Sequence, residues 1–233
     1  MAEPRDRLSP SFSFGPGRRK GADNQRLDAR RPASSAPSPA RTPTPTKGDA
    51  APADATSAKL RQWVGAPKAT LAIVFTDIVS SAALGNKIGN RAMDAVRRAH
   101  FRRAAELVAE HSGCLIKTIG DSVMAAFHAA TDALDFAVAV HADPGDRRLH
   151  LRVGIHVGPV TVEEQDAHGT TVNYAARVVA MPRDGGVWLS SEAKGHVDQE
   201  GAPQHAVLQW QTHTGLDVKG FAGKHILWSI ALQ

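Results

Sequence analysis

Two apolar runs that end at an aspartate constrain the fold of this chain most. Residues 71–75 are apolar and are followed closely by Asp77, and two short apolar runs within 114–127 flank Gly120 and Asp121, a pair typical of a two-residue hairpin turn. If the strands are neighbours, both carboxylates lie at one rim of a sheet, where their oxygens can bind a hard divalent cation. The alternative is structural: Asp77 begins a helix as its N-cap, and Asp121 only forms the turn.

The first 60 residues differ in composition from the rest of the chain. They hold nine of the 14 prolines and show no apolar periodicity, so we expect a disordered leader at 1–60. They also hold 11 of the 28 basic and 6 of the 23 acidic residues, which leaves 17 of each sign at 61–233. The folded part is therefore neutral and gives no reason to expect nucleic-acid binding. The short basic runs at 18–20 and 30–31 do not identify a partner for the leader, which stays unknown.

Two sequence features indicate the cellular compartment of the protein: its targeting signals and its cysteine content. The chain has neither an apolar stretch near Met1 nor a run of 18 apolar residues, so the sequence predicts no secretion signal and no transmembrane segment. Its one cysteine, Cys114, lies in an apolar strand and cannot form an internal disulfide framework. Together these features predict a cytoplasmic protein.

Hydrophobic periodicity predicts the element order β-α-β-β-α-β in the first part of the folded region. The predicted elements are a linker at 61–69, a strand at 70–76, a short helix after Asp77, a longer helix from Arg91 to Gly113, the hairpin described above, a helix at 130–141 and a strand at 149–157. This is the order of the α+β ferredoxin-like fold, in which two helices cover one face of an antiparallel sheet.

The remaining residues predict a C-terminal helix and further strands. A polar loop at 163–169 leads into a helix that starts near Thr170 and ends by Pro182, and short strands follow at 186–189, 206–211 and 225–231. On this helix Asn173 and Arg177 are four residues apart and share one face, while Val172, Ala176 and Val179 can face the core. Taken alone, the pattern is that of an ordinary amphipathic helix with a solvated arginine.

Five motifs in one order carry a family resemblance. They are FTDI at 75–78, KTIGDS at 117–122, GIHVG at 154–158, D-x-x-G-x-x-VN-x-AAR at 166–177 and VKGF at 218–221. In this order and at these separations they resemble the catalytic domain of class III nucleotidyl cyclases, the adenylate and guanylate cyclase family. The resemblance covers residues 70–232, and we expect the catalytic domain at 70–233.

The resemblance implies a metal site and a base-recognition site. In the family, the aspartates that match Asp77 and Asp121 bind two Mg²⁺ or Mn²⁺ ions, together with the backbone carbonyl at the position of Ile78. The residues that match Lys117 and Asp166 recognise the edge of adenine. Lysine can donate a hydrogen bond to a ring nitrogen, and aspartate can accept one from the adenine amino group, where guanine presents an acceptor. This pair therefore predicts ATP over GTP.

The resemblance also implies the residues that act on the phosphates and the assembly that brings them together. Asn173 matches the residue that orients the ribose and triphosphate, Arg177 the one that stabilises the transition state, and Lys219 the one that contacts the terminal phosphates. In the family, the metal ligands come from one catalytic domain and the other site residues from a second, arranged head to tail. Because this chain carries both halves, we expect a C₂ homodimer with two equivalent sites.

Two positions depart from the family pattern. The family's turn after the first aspartate commonly has glycine and threonine where this chain has Ser80 and Ala82, and backbone amides of this turn hold phosphate oxygens. These changes bear on the catalytic rate, so a nucleotide-binding regulatory domain without turnover remains an alternative. A guanylate cyclase is a further alternative, although it typically has other residues at Lys117 and Asp166.

Overall fold

The computed structural model describes residues 59–231. Eight strands form one sheet: β1 Lys68–Ile78, β2 Cys114–Ile119, β3 Ser122–Phe127, β4 Leu151–Glu163, β5 Asp166–His168, β6 Gly186–Ser190, β7 Trp210–Leu216 and β8 His225–Ile230. Six α-helices and a 3₁₀ helix are described with them: α1 Lys59–Val64, α2 Ser81–Ile88, α3 Asn90–Glu110, α4 Ala130–Ala142, α5 Thr170–Val178, α6 Ser191–Glu200 and the 3₁₀ helix Pro203–Val207. The predicted leader at 1–60 lies almost entirely outside the described residues.

The ferredoxin-like core predicted from the sequence is confirmed. The strand order is β2-β3-β1-β4-β6-β8-β7, and β5 pairs with β4 outside this path. The four core strands pair antiparallel, and helices α3 and α4 pack on one face of the sheet, which we call face one. Beyond the core, β6 joins β4 in parallel, and β8 and β7 continue the sheet antiparallel.

The opposite surface of the sheet, face two, carries a second apolar cluster. Leu71, Ile73 and Phe75 of β1 lie in it, with residues of β2, β3, α1 and α5. Since side chains alternate along a strand, the next member of this row on face two is Asp77. Ile78, on the other face, is buried with the residues of face one. The row that fills the second core therefore ends in the first predicted metal ligand.

Two glycines of β4 let helix α5 approach the sheet closely. A Cβ atom added at Gly154 would lie 2.3 Å from the backbone nitrogen of Val179, and one at Gly158 would lie 2.7 Å from the hydroxyl oxygen of Thr171. No side chain fits at either distance without displacing the helix. The glycines of the GIHVG motif thus set the position of the helix that carries Asn173 and Arg177.

The structure differs from the predicted elements near both ends of the described chain. Residues 61–69, predicted as a linker, hold most of α1 and the start of β1, and Leu60 of that helix is buried in the cluster on face two. The strand predicted at 206–211 begins only at Trp210, because the residues before it form the 3₁₀ helix.

The segment predicted as a polar loop at 163–169 is a tight hairpin. Strand β4 continues to Glu163, and a turn with a positive φ of 43° at Glu164 leads directly into β5. Val162 and Ala167 of this hairpin are buried on face two. The charged residues that suggested a loop instead occupy the exposed tip and edge of the hairpin.

The close approach at Gly154 generates the first prediction. We expect Gly154→Ala to lower the free energy of unfolding by about 1–3 kcal/mol, because the added methyl group overlaps the backbone of Val179. Urea denaturation measures the change. Gly195→Ala is the matched control: it lies inside α6, a Cβ there meets nothing within 4 Å, and alanine should stabilise the helix by about 0.5–1 kcal/mol. Equal stability of Gly154→Ala and the unsubstituted protein would contradict the packing described for α5.

Candidate active site

The structure places Asp77 and the Asp121 turn at the same rim of the sheet. Thr76 of β1 pairs with Val123 of β3, so the end of β1 lies beside the turn that contains Asp121. Ser122 links the two stretches, because its hydroxyl donates a hydrogen bond to Oδ1 of Asp77 at 3.3 Å. The two carboxylates that the sequence pattern singled out therefore belong to one group of side chains.

Each of these carboxylates is ion-paired with an arginine that sequence reasoning did not identify. Arg152, which lies opposite Asp77 on β4, pairs with its Oδ2 atom, and Nε of Arg97 on α3 lies 2.5 Å from Oδ1 of Asp121. Arg97 also lies 3.4 Å from the carboxylate of Asp94. The sequence pattern could have identified Arg152, because it lies between the buried residues Leu151 and Val153 and alternation therefore places it on face two with Asp77. No pattern marks Arg97, because arginines on helices usually face solvent.

The donor set at this rim fits a hard divalent cation. The side chains of Asp77 and Asp121 are 26% and 17% exposed, so both are accessible from one side and shielded on the other. Within residues 59–231 no group of three or more His, Cys, Asp or Glu side chains is arranged to hold a metal. Mg²⁺ does not need one, because it keeps several waters and takes further ligands from substrate phosphates. Asp77, Asp121 and the carbonyl of Ile78 are the groups that would hold it.

A buried histidine supports the strands that carry the two carboxylates. Nδ1 of His100 donates to the carbonyl of Pro144 at 3.0 Å, which leaves Nε2 to accept from the hydroxyl of Thr76 at 3.3 Å. The oxygen of Thr76 in turn accepts from the backbone N–H of Val123 at 3.3 Å. Burial lowers the pKa of His100, and its bond to the Pro144 carbonyl only opposes that shift. The neutral imidazole therefore completes a chain of bonds from α3 to the strands beside Asp77 and Asp121.

The predicted base-recognition residues meet on face two. The β4–β5 hairpin reaches β2, and the ammonium group of Lys117 forms an ion pair with Oδ2 of Asp166. Nε2 of His168 lies 3.8 Å from the same carboxylate oxygen. An open cavity of about 540 Å³ adjoins Asp166 and is bordered by Arg61 of α1. A cation and a carboxylate are thus presented side by side, next to space for a ligand.

The predicted phosphate-acting residues lie on a different part of the surface. Asn173, Arg177 and Lys219 are exposed, and the side chain of none of them makes a hydrogen bond or ion pair to another residue between 59 and 231. Asn173 and Arg177 share the outer face of α5, as their spacing predicts. The core-facing positions are confirmed: Val179 belongs to the cluster on face two, and Val172 and Ala176 pack against it while partly buried. The helix also buries Thr171, Tyr174, Ala175 and Val178, which the sequence analysis did not single out.

The strand registers place Asp77 and Lys219 at opposite ends of the sheet. Arg152, the partner of Asp77, is level with Gly186 at the start of β6. Ser190, at the far end of β6, pairs with Leu227, and the turn that carries Lys219 lies beyond that end. Four residues of strand alone span roughly 13 Å. One copy of the chain therefore does not bring the carboxylates of the predicted metal site and Lys219 to one point.

The turn after Asp77 adopts a strained backbone conformation. Ser80 has φ 52° and ψ 37°, in the left-handed region that favours glycine. A non-glycine residue held there costs about 1–3 kcal/mol. The serine at this position thus takes the conformation for which glycine is suited, and the carbonyl of Ser80 still accepts the first helical bond from Leu84 at 3.0 Å.

Comparison with known proteins now identifies the family. Residues 65–230 match the family model of the adenylate and guanylate cyclase catalytic domain. The chain belongs to this family. Among curated relatives, the adenylate cyclase of Streptomyces coelicolor is 36% identical over 49% of this chain and 31% of its own length. That of Streptomyces griseus is 33% identical over 56% of this chain and 33% of its own length. The chain thus spans about a third of the length of these cyclases.

Solved structures show that the fold is that of the cyclase catalytic domain. The adenylyl cyclase CyaB from P. aeruginosa superimposes with a TM-score of 0.62 at 19% identity, over 71% of this chain and 95% of that one. The guanylate cyclase domain of RhGC from Catenaria anguillulae gives 0.58 at 20% identity, over 71% of this chain and 98% of that one. Cyclases of both nucleotide types share the fold, so the fold does not choose between ATP and GTP. Among the described helices, none combines the length and the apolar character needed to cross a bilayer.

The ion pair between Arg97 and Asp121 generates the second prediction. Arg97→Gln should bind Mn²⁺ about two- to fivefold more tightly, because a half-exposed ion pair of at most about 1 kcal/mol no longer competes with the cation. The electron paramagnetic resonance signal of free Mn²⁺ measures the binding directly, without any reaction. Arg102→Gln is the matched control, because it removes the same charge from an exposed position of the same helix, at a distance from Asp121. If the two variants bind Mn²⁺ with equal affinity, Arg97 does not compete with the cation for Asp121.

Proposed function

We propose that this cyclase domain converts ATP to 3′,5′-cyclic AMP and pyrophosphate. The observation that carries the choice of ATP is the pair formed by Lys117 and Asp166, which presents a donor and an acceptor beside an open cavity. Adenine offers a ring nitrogen to the lysine and an amino group to the aspartate. Guanine has a carbonyl oxygen in place of that amino group. This oxygen and the carboxylate of Asp166 are both hydrogen-bond acceptors, so they would repel each other.

In the proposed reaction, the ribose 3′-hydroxyl loses its proton to solvent and its oxygen forms a bond to the α-phosphorus. The bond from that phosphorus to the oxygen bridging to the β-phosphate breaks, and pyrophosphate leaves with that oxygen. Two Mg²⁺ or Mn²⁺ ions held by Asp77, Asp121 and the Ile78 carbonyl would lower the pKa of the 3′-hydroxyl and offset phosphate charge. Arg177 places a guanidinium where negative charge grows on the transferring group. Asn173 orients the ribose and triphosphate, and Lys219 holds the terminal phosphates.

We further propose that the working unit is a head-to-tail homodimer. Two observations support it: the registers separate Asp77 from Lys219 within one chain, and the side chains of Asn173, Arg177 and Lys219 are exposed without hydrogen-bond or ion-pair partners among residues 59–231. A two-fold axis lets each copy give its carboxylates to one site and its cations to the other, which completes two equivalent sites. On this proposal the catalytic domain extends over 70–233, as the resemblance implies.

A nucleotide-binding domain with little turnover is the second candidate. It is favoured by the strained Ser80 and by Ala82 in the turn that would hold phosphate oxygens. Against it, none of the predicted metal ligands or phosphate-acting residues is missing. The two candidates differ in product formation, not in nucleotide binding.

The third prediction concerns the product. The purified full chain with Mg²⁺ or Mn²⁺ should convert ATP, and GTP at least tenfold less well, into the cyclic monophosphate, as measured by chromatography. Specific activity should rise with protein concentration, because dilution separates the two halves of the site. A folded, dimeric sample that forms no cyclic product from either nucleotide favours the second candidate, and a preference for GTP would refute the assigned role of Lys117 and Asp166.

The fourth prediction tests the shared site by complementation. Asp77→Ala/Asp121→Ala protein and Arg177→Ala protein should each be inactive, since every homodimeric site then lacks one half. A mixture should recover up to about a quarter of the unsubstituted activity, because half of a random mixture is heterodimer and each heterodimer has one intact site. A triple variant that combines all three substitutions, mixed with either of the two inactive proteins, is the control, because no dimer in that mixture has an intact site. Heterodimers that form but remain inactive would contradict the cross-subunit assignment.

A further inference from the structure

Tyr174, the one tyrosine of the chain, lies between Asn173 and Arg177 in sequence but points to the opposite side of α5. Its side chain is 8% exposed and belongs to a small apolar cluster with Val178, Val218 and Leu227. This cluster is separate from the two larger cores on either face of the sheet. It lies where α5 meets the β7–β8 turn, residues 217–224, which carries Lys219.

Tyr174 contacts both sides of the β7–β8 turn. Its ring meets that of Phe221 edge to face, with the centroids 4.8 Å apart. Its hydroxyl lies 2.9 Å from Nδ1 of His225, the first residue of β8. Phe221 is two residues from Lys219, and its N–H donates to the carbonyl of Val218 at 3.0 Å, which closes the backbone around Lys219. The exposed lysine thus stands on a turn that Tyr174 holds by a ring contact and by a hydrogen bond.

The other side of the tyrosine ring rests on the sheet. The imidazole of His156 lies 4.5 Å from it, centroid to centroid, and is itself held by Ser190 through a 2.7 Å bond at Nδ1. His156 is on β4 between Gly154 and Gly158, the glycines that admit α5. The tyrosine ring therefore packs against β4, the same strand that positions the helix.

We propose that Tyr174 is a positioning residue that fixes the Lys219 turn relative to Arg177. This inference rests on the proposed function, in which both cations act on one triphosphate. The hydroxyl of Tyr174 matters because Nε2 of His225 is buried without a hydrogen-bond partner among residues 59–231. If the bond from Tyr174 to Nδ1 is lost, neither ring nitrogen of His225 has a partner there. Burial raises the pKa of the phenol, so the group stays protonated and able to bond at neutral pH.

The fifth prediction is a double-mutant cycle between Tyr174 and Lys219. Tyr174→Phe removes the hydroxyl and keeps the ring contacts. It should raise the KM for ATP about three- to tenfold and change kcat less, because the turn still forms but Lys219 is no longer held. In a Lys219→Ala background the same change should have less than a twofold effect, since residues that act through one another are not additive. An undiminished effect in that background would overturn the proposal.

Ser229→Ala is the matched control for loss of a buried hydroxyl. Its oxygen bonds Nε2 of His213 at 2.9 Å, the same kind of hydroxyl–histidine pair, but Ser229 itself pairs with Gln211 near the end of the β7–β8 ladder that lies away from the turn. This variant should leave the KM for ATP unchanged. If it raises the KM as much as Tyr174→Phe does, the hydroxyl of Tyr174 contributes only general stability and the proposal is wrong.

A binding readout separates this proposal from the proposed reaction. The affinity of the full chain for a non-cyclising ATP analogue, measured by equilibrium dialysis, should fall three- to tenfold in Tyr174→Phe and hardly further when Lys219→Ala is added. That pattern supports the positioning role even in a protein that forms no cyclic AMP, where only the proposed reaction would fail. If the protein forms cyclic AMP but Tyr174→Phe and Lys219→Ala lower its affinity for the analogue additively, the proposed reaction stands and the positioning role is wrong.

Discussion

The structure depends on the register of strand β1 between β3 and β4. One row of its side chains, Leu71, Ile73 and Phe75, fills the core on face two and ends at Asp77. Because side chains alternate, a slip of one residue would turn this whole row to face one and bury the carboxylate in the main core. The burial of three large apolar side chains therefore sets the direction of the one acidic side chain. The same registers place Asp77 beside the Asp121 turn.

The same sheet also supports the proposal that the site is divided between two copies. Helix α5 can lie close to β4 only where Gly154 and Gly158 leave room, and the Lys219 turn is bound to that helix through Tyr174. Through Tyr174 these constraints tie α5, whose C-terminal end lies over Gly154, to the turn that lies beyond the Ser190 end of the sheet. Within one chain Lys219 is therefore held away from the carboxylates at the Gly186 end, and the proposed two-fold symmetry would supply it from a second copy.

How far the sequence predicts this molecule depends on the range of each interaction. The strands that end at Asp77 and Asp121 were predictable because alternation and turn residues are local signals. The partners of these carboxylates were not, since Arg97 reaches Asp121 from another element and nothing in its helical context marks it. The sequence predicts a loop at 163–169 instead of the hairpin because the charged residues at its tip outweigh Val162 and Ala167, whose burial depends on a distant part of the sheet.

The charges of the site follow a consistent arrangement. At one rim, Asp77 is paired with Arg152, and Asp121 shares Arg97 with Asp94, so each of the two predicted metal ligands has an arginine beside it before any cation binds. In the other half, Arg177 and Lys219 are exposed and have no carboxylate within ion-pair distance among residues 59–231. Cations left unpaired on a rigid support are ready to meet a polyanion without first breaking an ion pair. The asymmetry therefore suits the proposed site between two copies, in which a metal would displace arginines, whereas the phosphates of the nucleotide would meet cations that are already unpaired.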